Sequence, residues 1–151
     1  MMMMNGFDTN LDGDNEIYAV NSVAFEYARR PIPARVGETI RMYVINCTEF
    51  DPINSLHTHA EFFDYYDHGT SLEPDREQID TVMQCQAQRG IVEVSYETPG
   101  RFMFHAHQSE FAELGWMAKF NVVEPGDFEK ALREVGVGPD WDRLATDGMV
   151  T

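Results

Sequence analysis

Four of the five histidines of the chain fall into two pairs of one form: His57 and His59 in "NSLHTHAEFF", and His105 and His107 in "FHAHQSEF". On an extended strand, residues i and i+2 point to the same face, ~6.6 Å apart at the usual rise. Each pair therefore presents two imidazoles side by side, and two such strands lying together would bring four imidazoles to one place. Neutral imidazole is a favoured ligand of copper, zinc, iron and nickel. The chemistry in outline is that of a metal centre, with His57, His59, His105 and His107 as its candidate ligands. A plainer reading makes them strand-end histidines bonded to backbone carbonyls or water, but the repetition of the form weighs against it. His68, in the polar turn "DYYDHGT", is alone and reads as a surface residue.

Other groupings are weaker. "DTNLDGDNE" places Asp8, Asn10, Asp12 and Gly13 at the offsets that open a calcium loop, but Ala19 stands where a bidentate Glu belongs, so a polar turn is expected. Glu61 and Glu110 follow the two histidine pairs and are candidate proton donors, although solvated glutamates at strand ends are commoner. Phe62, Phe63, Tyr65 and Tyr66 form an aromatic group expected to shield the metal region or an interface. Cys47 and Cys85 show no CxxC spacing and read as buried free thiols, with a disulfide as the lesser alternative.

These side chains need strands to carry them. "EIYAVNSVAF" (16–25), "TIRMYVIN" (39–46), "TVMQCQ" (81–86), "GIVEVSY" (90–96), "RFMFHAH" (101–107) and "WMAKFNVV" (116–123) are rich in β-branched and aromatic residues. "RPIPARVGET" reads as an edge segment or turn. Short strands with no helical patterns between them predict an all-β antiparallel sandwich or barrel. The exception is "PGDFEKALREVG" (125–136), a short C-terminal helix with Phe128, Ala131, Leu132 and Val135 along one face, followed by a tail with Trp141 as a candidate anchor. The expected division is an N-terminal extension over residues 1–15, one β-domain over 16–124, and the helix and tail over 125–151.

Composition narrows the function. A length of 151 residues suits one domain. The formal charge of -15 argues against nucleic acid and anionic membrane surfaces. Lys119 and Lys130 are the lysines beside nine arginines, an acidic, lysine-poor balance that suits a high-salt cytoplasm and also occurs in ordinary acidic proteins. No apolar run approaches the ~20 residues of a membrane span, and "MMMMNGFDTN" has no signal-peptide pattern. A soluble protein is expected.

At the two histidine pairs the sequence resembles a copper-binding C-terminal cupredoxin domain of the multicopper oxidase family. That family carries one motif of the form HPxHxH and another of the form HCHxxxHxxxG followed by an axial Met, Leu or Phe. Here "NSLHTH" matches the first, and "HAHQSEFAELGWM", with its "PGRFMFH" lead-in and Gly115, matches the second. The resemblance runs from about residue 16 to 124 and implies a Greek-key cupredoxin β-sandwich. It also implies that His57, His59, His105 and His107 are ligands of type 2 and type 3 copper. Asn54, Ala106 and Phe111 stand at the His, Cys and His places of the type 1 blue copper, with Trp116 or Met117 at the axial place. Without the thiolate and both imidazoles, no type 1 copper is expected.

The family's trinuclear cluster draws histidines equally from two facing domains, so this chain would supply one half. A second copy or a separate cupredoxin domain would complete it, and a twofold pair suits that geometry. The implied activity is reduction of dioxygen by a copper-dependent oxidoreductase. The alternative is a non-catalytic domain that binds or stores copper. A third reading is a cupin, since "HTHAEFFD" and "PGRFMFH" imitate its motifs with Asp64 or Glu61 as a carboxylate ligand. A cupin, however, does not ask for the extra His107 or for "ELGWM".

Overall fold

The computed structural model describes residues 1–137, so Trp141 and the rest of the tail lie outside the described residues. In chain order the strands are β1 (Met2–Phe7), β2 (Ile17–Val20), β3 (Ile32–Arg35), β4 (Ile40–Cys47), β5 (Ile53–Thr58), β6 (Phe63–Asp67), β7 (Arg76–Ile79), β8 (Thr81–Cys85), β9 (Arg89–Val94), β10 (Gly100–His105) and β11 (Met117–Val123). Three short helices, α1 (Glu26–Arg29), α2 (Ser109–Glu113) and α3 (Phe128–Glu134), lie between or after them. The strands form a six-stranded sheet in the order β2-β1-β4-β9-β6-β7 and a five-stranded sheet in the order β3-β11-β10-β5-β8. The expected all-β sandwich with a short C-terminal helix is what the chain forms. No helix among the described residues is long and apolar enough to cross a membrane.

Strict alternation of side chains explains the layering. On β11, Ala118, Phe120 and Val122 are buried while their neighbours are not. On β8, Val82 and Gln84 point in, and Thr81, Met83 and Cys85 point out. Between the sheets pack Leu56, Phe104, Trp116 and Phe120 from one side and Met4, Val44, Phe63, Tyr65 and Val92 from the other, all essentially inaccessible to water. Each such side chain contributes on the order of 1.5–3 kcal/mol by leaving water.

Several expectations are corrected in detail. Residues 1–15 are set apart as an extension by sequence, yet Met2–Phe7 is an interior strand, antiparallel to β2 and parallel to β4. The strand expected over 16–25 stops at Val20, because Asn21 and Ser22 take positive φ values of 54° and 69° and turn the chain. "IPAR" is an edge strand, parallel to β11, in keeping with the edge segment expected there, and an edge is where its one proline, Pro33, is tolerated. The aromatic run does not shield a site as a group: Phe63 and Tyr65 belong to the core, Tyr66 donates to Glu93, and Phe62 is exposed. Cys47 and Cys85 are free thiols, but Cys47 is half-buried and Cys85 exposed.

The turn from α2 into β11 depends on Gly115. Its φ of 135° lies where side chains other than glycine's are strained. An added Cβ would overlap the Tyr18 carbonyl oxygen and come within 2.6 Å of the Ala24 Cβ. The same turn receives two backbone bonds, Tyr18 N–H to the Leu114 oxygen (3.1 Å) and Phe25 N–H to the Gly115 oxygen (2.9 Å). Gly115→Ala should therefore lower stability by about 2 kcal/mol or more, read as a lower urea midpoint at unchanged slope. An unchanged midpoint would mean that the turn relaxes around the methyl group.

Candidate metal centre

The site begins with strand parity. β5 and β10 are antiparallel, with Thr58 opposite Phe104 and His57 opposite His105. Thr58 and Phe104 point into the sandwich and are buried, so His57 and His105 must share the outer face. His59 continues from β5, its N–H donating to the Met103 carbonyl (3.0 Å). His107 continues from β10, its N–H donating to Ser55 Oγ (2.8 Å), while Ser55 also bonds to the Gln108 side chain. The four rings cluster, with the His57 centroid 4.9 Å from that of His59, 5.5 Å from that of His105 and 5.0 Å from that of His107. Ring nitrogens of His57, His59 and His105 lie within 4.8 Å of one another. His107 packs by its ring at the side of this tighter group.

Hydrogen bonds set the ring orientations. His57 Nδ1 faces the Asp80 carbonyl (2.9 Å) and Thr81 Oγ1 (2.8 Å). The carbonyl can only accept, so the proton is on Nδ1 and Nε2 keeps its lone pair. His105 Nδ1 likewise faces the Ala106 carbonyl (2.5 Å), again freeing Nε2. His59 Nε2 lies 3.0 Å from that freed nitrogen. Two nitrogens bound to one ion at ~2.0 Å each stand about 3 Å apart, so the donor set fits a transition-metal ion. Backbone carbonyls that fix the second ring nitrogen are the usual support of metal-bound imidazole.

Burial is the main influence on the protonation of three of these rings. It lowers the pKa of His57 below 6.5, more than the Asp80 carbonyl and carboxylate restore. His59 is lowered by burial and then by the neighbouring His57 and His107. His105 is lowered by burial and by His59 and His107, against the Ala106 carbonyl, which raises it. All three therefore favour the neutral, ligand-competent form near neutral pH.

The remaining candidates separate by position. Glu61 lines a cleft of 250 Å³ with His57, His59, Phe62 and Asp80. Glu110 is exposed on α2, where its charge acts on Tyr18. Asp64, the other carboxylate of the cupin reading, lies on β6 in the opposite sheet and accepts the Gln78 N–H (3.1 Å). Asp8, Asp12 and Glu16 do approach one another, but Asp8 accepts the N–H groups of Asn10, Leu11, Asp12 and Gly13 and so holds the expected polar turn. His68 is exposed beside Asp67. Asn54, Ala106, Phe111 and Trp116 are all buried. Asn54 donates to Thr48 Oγ1 (2.8 Å) and accepts the Ser55 N–H (2.7 Å), and Phe111 stacks on Tyr18 at 4.0 Å. Sequence reading missed Thr81 and Asp80 as supports of His57, since nothing but the register of β5 with β8 brings them there.

Comparison with known proteins agrees with this architecture. A sequence profile described as multicopper oxidase matches residues 2–126. The crystal structure of a multicopper oxidase superposes with a TM-score of 0.79 at 49% identity, covering 81% of this chain and 42% of that one. The chain thus spans less than half the length of that relative. A copper-containing nitrite reductase from Thermus scotoductus superposes with a TM-score of 0.73 at 19% identity, over 82% of this chain and 30% of that one. A multicopper oxidase from Campylobacter jejuni described as a metallo-oxidase does so with 0.65 at 16%, over 80% and 29%. The last two show the shared fold. No curated protein sequence matches the chain.

The lowered imidazole pKa values make stability pH-dependent. Near pH 6.5 and just below it, the unfolded chain binds more protons than the folded one, so stability is full above that point and falls as the pH drops. The urea midpoint of the metal-free chain should fall between about pH 7.5 and 5.5, with a shallower fall in His57→Gln. Parallel pH profiles for the two proteins would show that His57 is no harder to charge folded than unfolded.

Proposed function

The chain belongs to the multicopper oxidase family, and on that premise we propose that it is a copper-binding cupredoxin domain supplying His57, His59, His105 and His107 as half of an oxygen-reducing copper centre. The observation that carries this reading is the convergence of the four rings on one sheet face, with ring nitrogens of His57, His59 and His105 within 4.8 Å of one another. His57 is presented by Asp80 and Thr81, and His105 by the carbonyl next to it. Copper bound there would supply the electron-transfer chemistry that dioxygen reduction requires. The chain's own residues hold the ligand nitrogens neutral and aimed outward. Glu61 shares the cleft of His57 and His59 with Asp80 and is the candidate for proton delivery beside the imidazoles.

A face of imidazoles at the surface is half of an enclosure. The other half would come from a second cupredoxin domain, in another copy of this chain or in a separate one. A relative of which the match covers only 42% supports a partner domain. The chain would hold no type 1 copper, since Asn54, Ala106 and Phe111 offer no thiolate and no imidazole at those positions. That same lack favours the second reading, a domain that binds copper without turnover, because electrons would have to come from elsewhere.

Copper content, optical and EPR spectra, and solution mass measured on one sample test the proposal. The expected result is more than one copper per chain in a dimer or larger species, without intense blue colour. Oxygen uptake with an added reductant then separates the enzyme from the binding domain. His57→Ala and His105→Ala should each abolish most copper binding. Thr81→Val, which removes one partner of His57 Nδ1, should weaken it about tenfold. A monomer holding one copper or less would sink the shared-centre reading, and a blue protein would overturn the assignment of Asn54, Ala106 and Phe111.

A further inference from the structure

The face that carries the histidines also carries methionines. Met117 on β11 is the direct cross-strand partner of His105, which is the partner of His57, so the three stand in one row across β11, β10 and β5. Direct partners in an antiparallel sheet have Cβ atoms about 4.5–5.5 Å apart. Met103 lies two residues before His105 on the same face, and its carbonyl accepts the His59 N–H (3.0 Å). Both side chains are half-buried although they point away from the core. The core has its own methionines, Met2, Met4 and Met42, so Met103 and Met117 are not needed to fill it.

We propose that Met117, supported by Met103, extends the imidazole cluster into a mixed imidazole and thioether site for cuprous ion. The inference rests on the reading of the histidines as copper ligands and adds which oxidation state the face accepts. A thioether is a soft, polarisable, neutral donor that favours Cu(I). Zn(II), a borderline ion, is served by the imidazoles and gains little from it. Lys119, the partner of Met103, puts a cation in the second row, which makes Met117 the stronger of the two donors.

The test is anaerobic titration of the whole chain with Cu(I) against a chromophoric Cu(I) chelator, and with Zn(II) against a zinc indicator. Met117→Leu, which keeps the apolar volume, should weaken Cu(I) binding roughly fivefold and Met103→Leu/Met117→Leu at least about tenfold, with Zn(II) affinity unchanged. NMR of methyl-labelled methionine should show the Met117 methyl shifting on Cu(I) addition and staying in place with Zn(II). Equal weakening of both ions would assign the methionines a packing role and overturn the inference. So would unchanged Cu(I) affinity in the double variant. If that happens while His57→Ala still abolishes Zn(II) binding, the inference falls and the histidine site stands. A wild-type chain that binds neither ion removes both.

Discussion

The short seam between β5 and β10 governs both the sheet and the site. Two directly paired positions, Thr58 with Phe104 and His57 with His105, join the β5–β8 half of the five-stranded sheet to the β10–β11 half. A one-residue slip of β5 would turn Thr58 outward and drive His57 into the core, and a slip of β10 would do the same to Phe104 and His105. The seam is reinforced where the ladder ends, by the His107 N–H on Ser55 Oγ and by the bond between Ser55 and Gln108. Phe104 locks the register from inside, stacked on Phe120 at 4.5 Å and edge-on to Trp116 at 6.0 Å. The geometry of the four rings is thus set by core packing on the opposite side of the same strands.

Beneath that face, Asn54, Ala106, Phe111 and Trp116 are committed to packing. Ala106 and Trp116 are fully buried, and Phe111 lies flat on Tyr18. The buried amide of Asn54 is satisfied by Thr48 and Ser55, and Asn46 donates to the Gln84 carbonyl, as most buried polar groups find partners. Tyr18 completes the arrangement by donating to Asp51 (2.7 Å), and burial together with that carboxylate holds its phenol protonated well above the usual range. Rigid aromatic and amide contacts here support α2 and the Gly115 turn, and through them the strand that carries Met117.

Much of this was legible in the sequence because β-structure writes its parity into the chain. The HxH spacing anticipated paired imidazoles on one face, although only His57 and His105 lie within strands and His59 and His107 just beyond them, and strands β4, β8, β9, β10 and β11 fell close to their expected bounds. What could not be read depended on partners distant in sequence. "MMMNGF" has no β-branched residue and only Phe7 as an aromatic, and is a strand because β2 and β4 flank it. "FFDYYD" reads as an aromatic shield for the metal region or an interface until the alternation of Phe63 and Tyr65 against Asp64 and Tyr66 is set beside β9. Thr81 is an ordinary edge residue by sequence and a support of His57 by register.

The place of β1 has a consequence for how the molecule opens. β1 and β2 form a hairpin whose connection is tied by the Asp8 carboxylate and by Glu16, which accepts from Thr9 and Asn10. That unit joins the remaining strands of its sheet along one parallel seam, Met2–Asn5 against Val44–Cys47. The ladder is not its only tie: the Tyr18 N–H donates to the Leu114 carbonyl, the Tyr18 ring stacks on Phe111, and Asn15 donates to the Glu49 carbonyl. When the ladder parts, the four strands beyond it keep their mutual pairing, and the β5–β10 seam, in the other sheet, is left intact. Through Tyr18 and the Gly115 turn, however, displacement of the hairpin would be felt at the start of β11, the strand that carries Met117.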